Sequence, residues 1–137
     1  MNLPQNSIIA SGPVIIKEID GKKKILLNKH KVTDAKPNPK WQFPGGEMED
    51  FDATLEDTAK REVKEELGIE INIIKPLSPM IVKREDGSVV VLIHYLADFE
   101  GEIKQGEEIA EWNWFAIDEL PADIQPNIKP LFLEAVK

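Results

Sequence analysis

The stretch GGEMEDFDATLEDTAKREVKEELGI, residues 45–69, carries the strongest fold signal in the chain. An apolar residue recurs at every fourth position over 54–67, which predicts an amphipathic helix with one buried stripe. Thr54 is a suitable N-cap and Gly68 a suitable helix stop. The stripe comprises Leu55, Ala59, Val63 and Leu67.

Strands are predicted on both sides of this helix, and a second helix at the end of the chain. The predicted strands cover 7–17, 24–28, 41–46, 69–75, 79–85, 88–100 and 111–117, and the second helix covers 127–137. This order favours the α/β (α+β) class, with helices packed on a mixed central β-sheet. Neither a repeat nor a linker is evident, so we expect a single domain over 1–137.

The composition limits the kinds of site that the chain can build. Its 137 residues are 42% hydrophobic and 31% charged, as in folded domains. The chain has no cysteine, which excludes disulfides and thiolate zinc sites. Its two histidines, His30 and His94, are too few for a histidine-rich metal cluster. Any metal would therefore be held mainly by oxygen atoms.

The charge balance narrows the possible partners. There are 17 basic and 25 acidic residues, for a formal net charge of −8. This disfavours a binder of duplex nucleic acid, which needs a basic face, but it allows a phosphate substrate accompanied by a cation. No signal peptide is visible, and the longest apolar run covers only 89–93. We therefore expect a cytoplasmic protein with no membrane partner.

Three glutamates of the predicted helix are candidate metal ligands. Glu62, Glu65 and Glu66 occupy positions i, i+3 and i+4, within about 100° of arc on one helix face. Like charges at this spacing repel each other unless a cation lies between them, and oxygen ligands favour Mg²⁺ or Mn²⁺. A carbonyl oxygen of Gly45 or Gly46 is a further candidate ligand. The alternative is a solvated helix face with Glu–Lys pairs.

The whole segment resembles the Nudix box, G-x5-E-x7-R-E-U-x-E-E-x-G-U, where U is apolar. The match covers 46–69: REVKEELGI fits at every specified position, and WQFPGG before it is also typical of the family. The resemblance to small MutT-like members implies a Nudix-type α/β/α sandwich. One departure is that fourteen residues, not thirteen, separate Gly46 from Arg61. The middle glutamate of the box falls on Asp52, whose role stays open.

The resemblance also implies roles for individual residues. Nudix proteins use Mg²⁺ or Mn²⁺ to hydrolyse a pyrophosphate bond in nucleoside diphosphate derivatives. Arg61 would join the three glutamates in the catalytic set by pairing with a box glutamate, and Glu108 would be a further metal ligand, with Glu107 and Glu111 as alternatives. The implied metal ligands are Glu62, Glu65, Glu66, Glu108 and the carbonyl groups of Gly45 or Gly46. The general base differs among branches of the family.

The substrate is inferred mainly from missing signatures. Those of the ADP-ribose, NADH, coenzyme A and dinucleoside polyphosphate branches do not occur here. We therefore expect a MutT-like hydrolase that cleaves a (d)NTP, oxidised or not, to the monophosphate and pyrophosphate. The alternatives are an ADP-ribose or nucleotide-sugar pyrophosphatase, a non-catalytic nucleotide sensor, and an acidic interaction module. The expected partner is a nucleotide, and the protein would be a monomer or a homodimer.

Five aromatic side chains have two possible interpretations. They either stack on a nucleobase or pack in the core, and core packing is favoured for each. They are Trp41, Phe43, Tyr95, Trp112 and Trp114. His94, in an apolar strand, is expected to be a hydrogen-bonded histidine of the core.

Overall fold

A computed structural model describes residues 3–137. The chain forms seven strands, two α-helices and a short 3₁₀-helix. They are β1 (Ile8–Ile19), β2 (Lys22–His30), β3 (Gly46–Glu47), α1 (Leu55–Leu67), β4 (Glu70–Pro76), β5 (Met80–Lys83), β6 (Val89–Glu100), β7 (Ile109–Ala116), the 3₁₀-helix Ile117–Glu119 and α2 (Ile128–Ala135). None of the helices among residues 3–137 is long and apolar enough to cross a membrane.

The sheet is mixed, with β1 as its central strand. Its main order is β4-β6-β1-β2-β7, with β3 paired to β1 and β5 to β6. The first part of β1 runs parallel to β6, and its last four residues run antiparallel to β2. The turn between β1 and β2 has positive φ at Asp20 and Gly21, as expected for the Asp-Gly signal. The predicted mixed sheet is confirmed.

The two helices cover two separate hydrophobic cores. Successive strand residues point to opposite faces of a sheet. On β1, Val14 accordingly packs in the cluster that contains α2, whereas Ile15 packs in the cluster that contains α1. The predicted stripe of α1 supplies Ala59, Val63 and Leu67 to its cluster, all fully buried. The sheet is therefore sandwiched between helices.

Helix α1 begins and ends where its sequence predicts. The Thr54 side chain accepts a hydrogen bond from the Asp57 N–H at 3.1 Å, which makes Thr54 the N-cap. Gly68 has φ 68° and its N–H donates to the Lys64 carbonyl at 2.9 Å. Only glycine adopts this left-handed conformation without strain, so the helix ends there.

The strand predicted over 41–46 is wrong in most of its length. Trp41 and Gln42 form only isolated bridges, and the two-residue strand β3 starts at Gly46. The cause is local, because Pro44 has no N–H to donate and Gly45 has φ 146°. Conversely, β2 is longer than predicted and reaches His30, which brings this histidine to the edge of the site described next.

Candidate metal and substrate site

A cleft of about 780 Å³ opens beside the Gly45–Gly46 turn. Its walls come from the loop before Trp41, from strands β1, β5 and β6, and from the cleft-facing side of α1. The carboxylates that line it are those of Glu47, Glu49, Glu62, Glu66 and Glu108, and the cationic side chains are those of Lys36, Lys40 and Arg84. Acidic and basic groups thus share one cavity, as a metal-assisted phosphate site requires.

Both glycines of the turn are needed for close packing. A Cβ at Gly45 would lie 2.5 Å from the carbonyl oxygen of Ser11, and φ is 146°. A Cβ at Gly46 would lie 2.5 Å from the carboxyl carbon of Glu62. The missing side chains let the backbone of the turn approach β1 and the Glu62 carboxylate directly.

Glu66 is buried at the base of the cleft, and both of its carboxylate oxygens have polar partners. Its Oε1 accepts from the Gly45 N–H at 2.8 Å and from Asn28 Nδ2 at 3.3 Å. Its Oε2 lies 2.9 Å from Nε2 of His30. A residue only 4% exposed needs such partners if it is to remain charged. The Gly45 contact also ties the glycine turn to α1.

Arg61 joins Glu62 to the loop that precedes α1. Its Nη1 lies 2.8 Å from Glu62 Oε1, while Nε and Nη2 donate to the two oxygens of Asp52. Asp52 also accepts from the Glu49 N–H and the Thr58 hydroxyl. The hydrogen bonds from Arg61, followed by the one from Glu49, hold the pKa of Asp52 well below its usual value. The role left open for Asp52 is therefore to anchor Arg61.

Opposing influences act on the pKa of the Glu62 carboxyl, which lines the cleft. Burial raises its pKa, and the pairing with Arg61 opposes that rise. The charges of Glu66 and Glu65 add to the increase. A cation near Glu62 would relieve this repulsion.

Glu65 lies apart from the other two glutamates. Its side chain is 60% exposed, it does not line the cleft, and its nearest cation is Arg61 Nη1 at 3.6 Å. Among residues 3–137, no three Asp, Glu or His side chains are already gathered closely enough to hold a metal ion. The structure therefore brings Glu62 and Glu66 to the cleft and leaves Glu65 at its outer side.

The donor set nevertheless fits a hard divalent cation. Glu62, Glu66, Gly45 and Gly46 all line one cleft, and oxygen atoms are the ligands that such a cation prefers. Glu108 lines the same cleft, whereas Glu107 and Glu111 do not. Of the three acidic residues of that turn, Glu108 is the one placed to add a ligand.

Of the five side chains considered for stacking, one lines the cleft and four pack elsewhere. Phe43 and His94 lie at its inner wall, with ring centroids 4.9 Å apart. His94 is also a satisfied buried histidine, because Nδ1 lies 3.0 Å from the Gly12 carbonyl and Nε2 lies 3.1 Å from Asn127 Nδ2. The packed residues are Trp41, Tyr95, Trp112 and Trp114.

Sequence reasoning missed the residues that hold Glu66 and that line the far wall. Asn28 and His30 come from β2 and Asn127 precedes α2, so no local motif links them to the Nudix-like segment. One signal in the sequence could have placed Asn28, namely the alternation of side-chain direction along β2. Leu26 and Asn28 are two positions apart on the strand, so their side chains point to the same face. Since Leu26 packs in the core against α1, Asn28 also faces α1.

Comparisons with known proteins match most of the chain to one family. A model of the NUDIX domain matches residues 11–135. The chain is 33% identical over 93 residues to a candidate 8-oxo-dGTP diphosphatase of Bacillus subtilis, covering 68% of this chain and 58% of that protein. It is 30% identical over 108 residues to Nudix hydrolase 3 of Caenorhabditis elegans, covering 74% and 45%. The chain thus spans about half the length of these curated relatives.

Solved structures show the same fold over nearly the whole chain. A MutT NUDIX hydrolase from Burkholderia pseudomallei is 29% identical to this chain, with a TM-score of 0.78. The match covers 97% of this chain and 100% of that one. The MutT protein of Methanosarcina mazei has a TM-score of 0.80 at 20% identity, covering 98% and 96%. The second likeness bears on the fold alone.

Proposed function

The chain belongs to the Nudix hydrolase family, and from that premise we propose that it hydrolyses a nucleoside triphosphate, oxidised or not, to the monophosphate and pyrophosphate. The observation that carries this proposal is the joint placement of Glu62, Glu66 and the Gly45–Gly46 turn on one cleft. The preference for a triphosphate is supported by the name of the Bacillus subtilis relative, a candidate 8-oxo-dGTP diphosphatase. An ADP-ribose-like or sugar-nucleotide substrate is the alternative that the experiment below distinguishes.

The metal would be Mg²⁺ or Mn²⁺, held by Glu62, Glu66 and a glycine carbonyl, with Glu65 and Glu108 as outer contributors. The chemistry that such a cation supplies is neutralisation of phosphate charge and acidification of a water molecule. Arg61 holds Glu62 in place through one hydrogen bond and is itself held by Asp52. The Glu66 contact with Gly45 keeps the glycine turn against α1, and the contact with His30 joins α1 to β2.

Two carboxylates are candidates for the general base. Glu62 lines the cleft beside Glu66, where its carboxylate would accept a proton from a water molecule that the cation acidifies. Glu108 is exposed and lines the same cleft, where it can act without also serving as an inner ligand. The pH dependence of turnover in E108Q decides between them, because the acidic limb moves only if Glu108 is the base.

The basic residues of the cleft would hold the phosphate chain. Lys36, Lys40 and Arg84 line it, and none of them forms a salt bridge within the described part of the chain. Their charges offset phosphate charge locally although the whole chain carries −8. The apolar wall around Phe43 is suited to the base rather than to phosphate.

A substrate panel with two variants tests the proposal. The panel contains dNTPs, 8-oxo-dGTP, ADP-ribose, UDP-sugars and a dinucleoside polyphosphate, each with and without Mg²⁺ or Mn²⁺. We expect monophosphate and pyrophosphate from triphosphates, lost in E66Q and retained in E70Q, a matched change at an exposed glutamate paired with Lys64. Cleavage of ADP-ribose or a sugar nucleotide alone would overturn the triphosphate assignment. Nucleotide binding without any turnover would indicate a sensor.

A further inference from the structure

Two buried polar atoms beside the carboxylates have no hydrogen-bond partner. Among residues 3–137 these are the hydroxyl oxygen of Ser11 and Oδ1 of Asn28, and both residues are at most 1% exposed. Buried polar atoms are nearly always paired, because an unpaired one destabilises the fold. Two such atoms near one cleft therefore call for a functional explanation.

The position of Ser11 follows from the strand register. Ser11 on β1 lies directly opposite Gly46 on the antiparallel strand β3. Directly opposed residues of an antiparallel pair project to the same face of the sheet. A side chain at Gly46 would meet the Glu62 carboxylate, so the Ser11 hydroxyl projects to the Glu62 side. Ser11 also lines the cleft.

Asn28 has the corresponding place beneath Glu66. Its Nδ2 donates to Glu66 Oε1 at 3.3 Å, which leaves its own carbonyl oxygen unpaired. The two glutamates occupy positions i and i+4 of α1, on the same side of the helix. Each carboxylate therefore has one incompletely satisfied polar side chain of the sheet on its side.

We propose that Ser11 is a positioning residue for Glu62 when the site holds its divalent cation. The Glu62 carboxylate is now bound to Arg61, and the Ser11 hydroxyl has no acceptor. When Glu62 turns towards a cation, the Ser11 hydroxyl donates to it and fixes its orientation. This inference rests on the proposed function, since it requires a metal at Glu62.

The proposal predicts opposite effects on the two states of the protein. Without metal, removing the Ser11 hydroxyl deletes an unsatisfied buried group, so the melting temperature stays the same or rises. With metal, the same change removes a hydrogen bond to an ionised ligand, so the affinity falls by roughly tenfold. A residue with a packing role alone would show a lower melting temperature and an unchanged metal affinity.

The test compares S11A with S88A. Ser88 is equally buried, but its hydroxyl donates to Asp86 at 2.6 Å, outside the cleft lining. Melting temperatures are measured in the presence of a chelator. The affinity for Mn²⁺ is measured by calorimetry and by the electron paramagnetic resonance signal of free Mn²⁺. We expect S11A to bind Mn²⁺ about tenfold more weakly with an unreduced melting temperature. We expect S88A to melt lower with unchanged affinity.

The outcomes separate this inference from the proposed function. If S11A binds Mn²⁺ as the wild type does while E62Q binds it weakly, the role of Ser11 is wrong and the metal site stands. A melting temperature of S11A reduced as far as that of S88A also overturns the role of Ser11. If wild-type protein binds no Mn²⁺ at all, both the metal site and the role of Ser11 are overturned.

Discussion

Arg61 donates two hydrogen bonds to Asp52, from Nε to Oδ1 at 3.1 Å and from Nη2 to Oδ2 at 2.8 Å. This two-point contact holds the guanidinium so that its remaining nitrogen meets Glu62. The ring of Phe51, the neighbour of Asp52, lies 5.2 Å from the same guanidinium. The loop before α1 is one residue longer than the family pattern, and Asp52 falls on the pattern's middle glutamate. This aspartate positions Arg61.

Replacing Asp52 by Asn should lower the melting temperature and the turnover together, because Arg61 loses its charged partner. The pKa of Asp52 is lowered in the folded state, so its contribution to stability is complete above the unfolded pKa of about 4. It is lost as the pH falls through the lower folded value. The melting temperatures of wild type and D52N should therefore begin to converge as the pH falls below about 4, and they should continue to converge towards the lower folded pKa. A constant difference down to pH 2 would contradict this assignment, and D118N, at an exposed ion pair, is the control.

Replacing Glu66 by Gln should cost both activity and stability. In place of Oε1, the amide nitrogen would face the donors Gly45 N–H and Asn28 Nδ2, and a donor against a donor costs about 1–3 kcal/mol in the free energy of unfolding. In place of Oε2, it would face His30, which would lose the negative charge of its partner. Replacing the exposed Glu65 by Gln should leave that free energy unchanged. Denaturant unfolding and Mn²⁺-dependent turnover measure the two effects. Full activity of E65Q would remove Glu65 from the metal site, and an unchanged stability of E66Q would refute the buried contacts.

Replacing Gly46 by Ala should spare the fold and damage the site. The added Cβ meets the end of the flexible Glu62 side chain, which can move aside. Displacing this ligand should reduce turnover by roughly 10–100-fold. At Gly12, by contrast, a Cβ would lie 1.9 Å from the Pro44 carbonyl oxygen, so G12A should unfold at a lower temperature. Equal losses of melting temperature in the two variants would show that Gly46 is structural.

His94 should make the fold sensitive to mild acid. Burial lowers the pKa of His94 to about 4 in the folded state, against about 6.5 in the unfolded chain. As the pH falls below 6.5, the unfolded state binds the proton first, so stability decreases and reaches a loss of about 2 kcal/mol near pH 5. Unfolding free energies at pH 7 and pH 5 should therefore differ less in H94Q than in wild type. An identical difference in the two proteins would show that His94 titrates normally.

Helix α1 could be predicted almost to the residue because its signals are local. The N-cap, the stripe and the glycine stop all lie within fifteen positions of the sequence, and each acts through neighbours along the helix. The irregular segment 41–46 was not foreseen. Its apolar composition resembles a strand, but Pro44 and the positive φ of Gly45 prevent continuous pairing.

Some features of the candidate site could likewise be predicted from the sequence, and others could not. The sequence by itself determined the family, the glycine turn and the acidic helix, because these form one continuous motif. Only the tertiary structure decided which glutamates face the cleft: Glu65 and Glu66 lie about 100° apart on the helix, so burying Glu66 turns Glu65 outward. The hydrogen bond between Asn28 and Glu66 and the pairing of Ser11 opposite Gly46 join residues distant in sequence. They depend on strand register and helix placement, which no local propensity encodes.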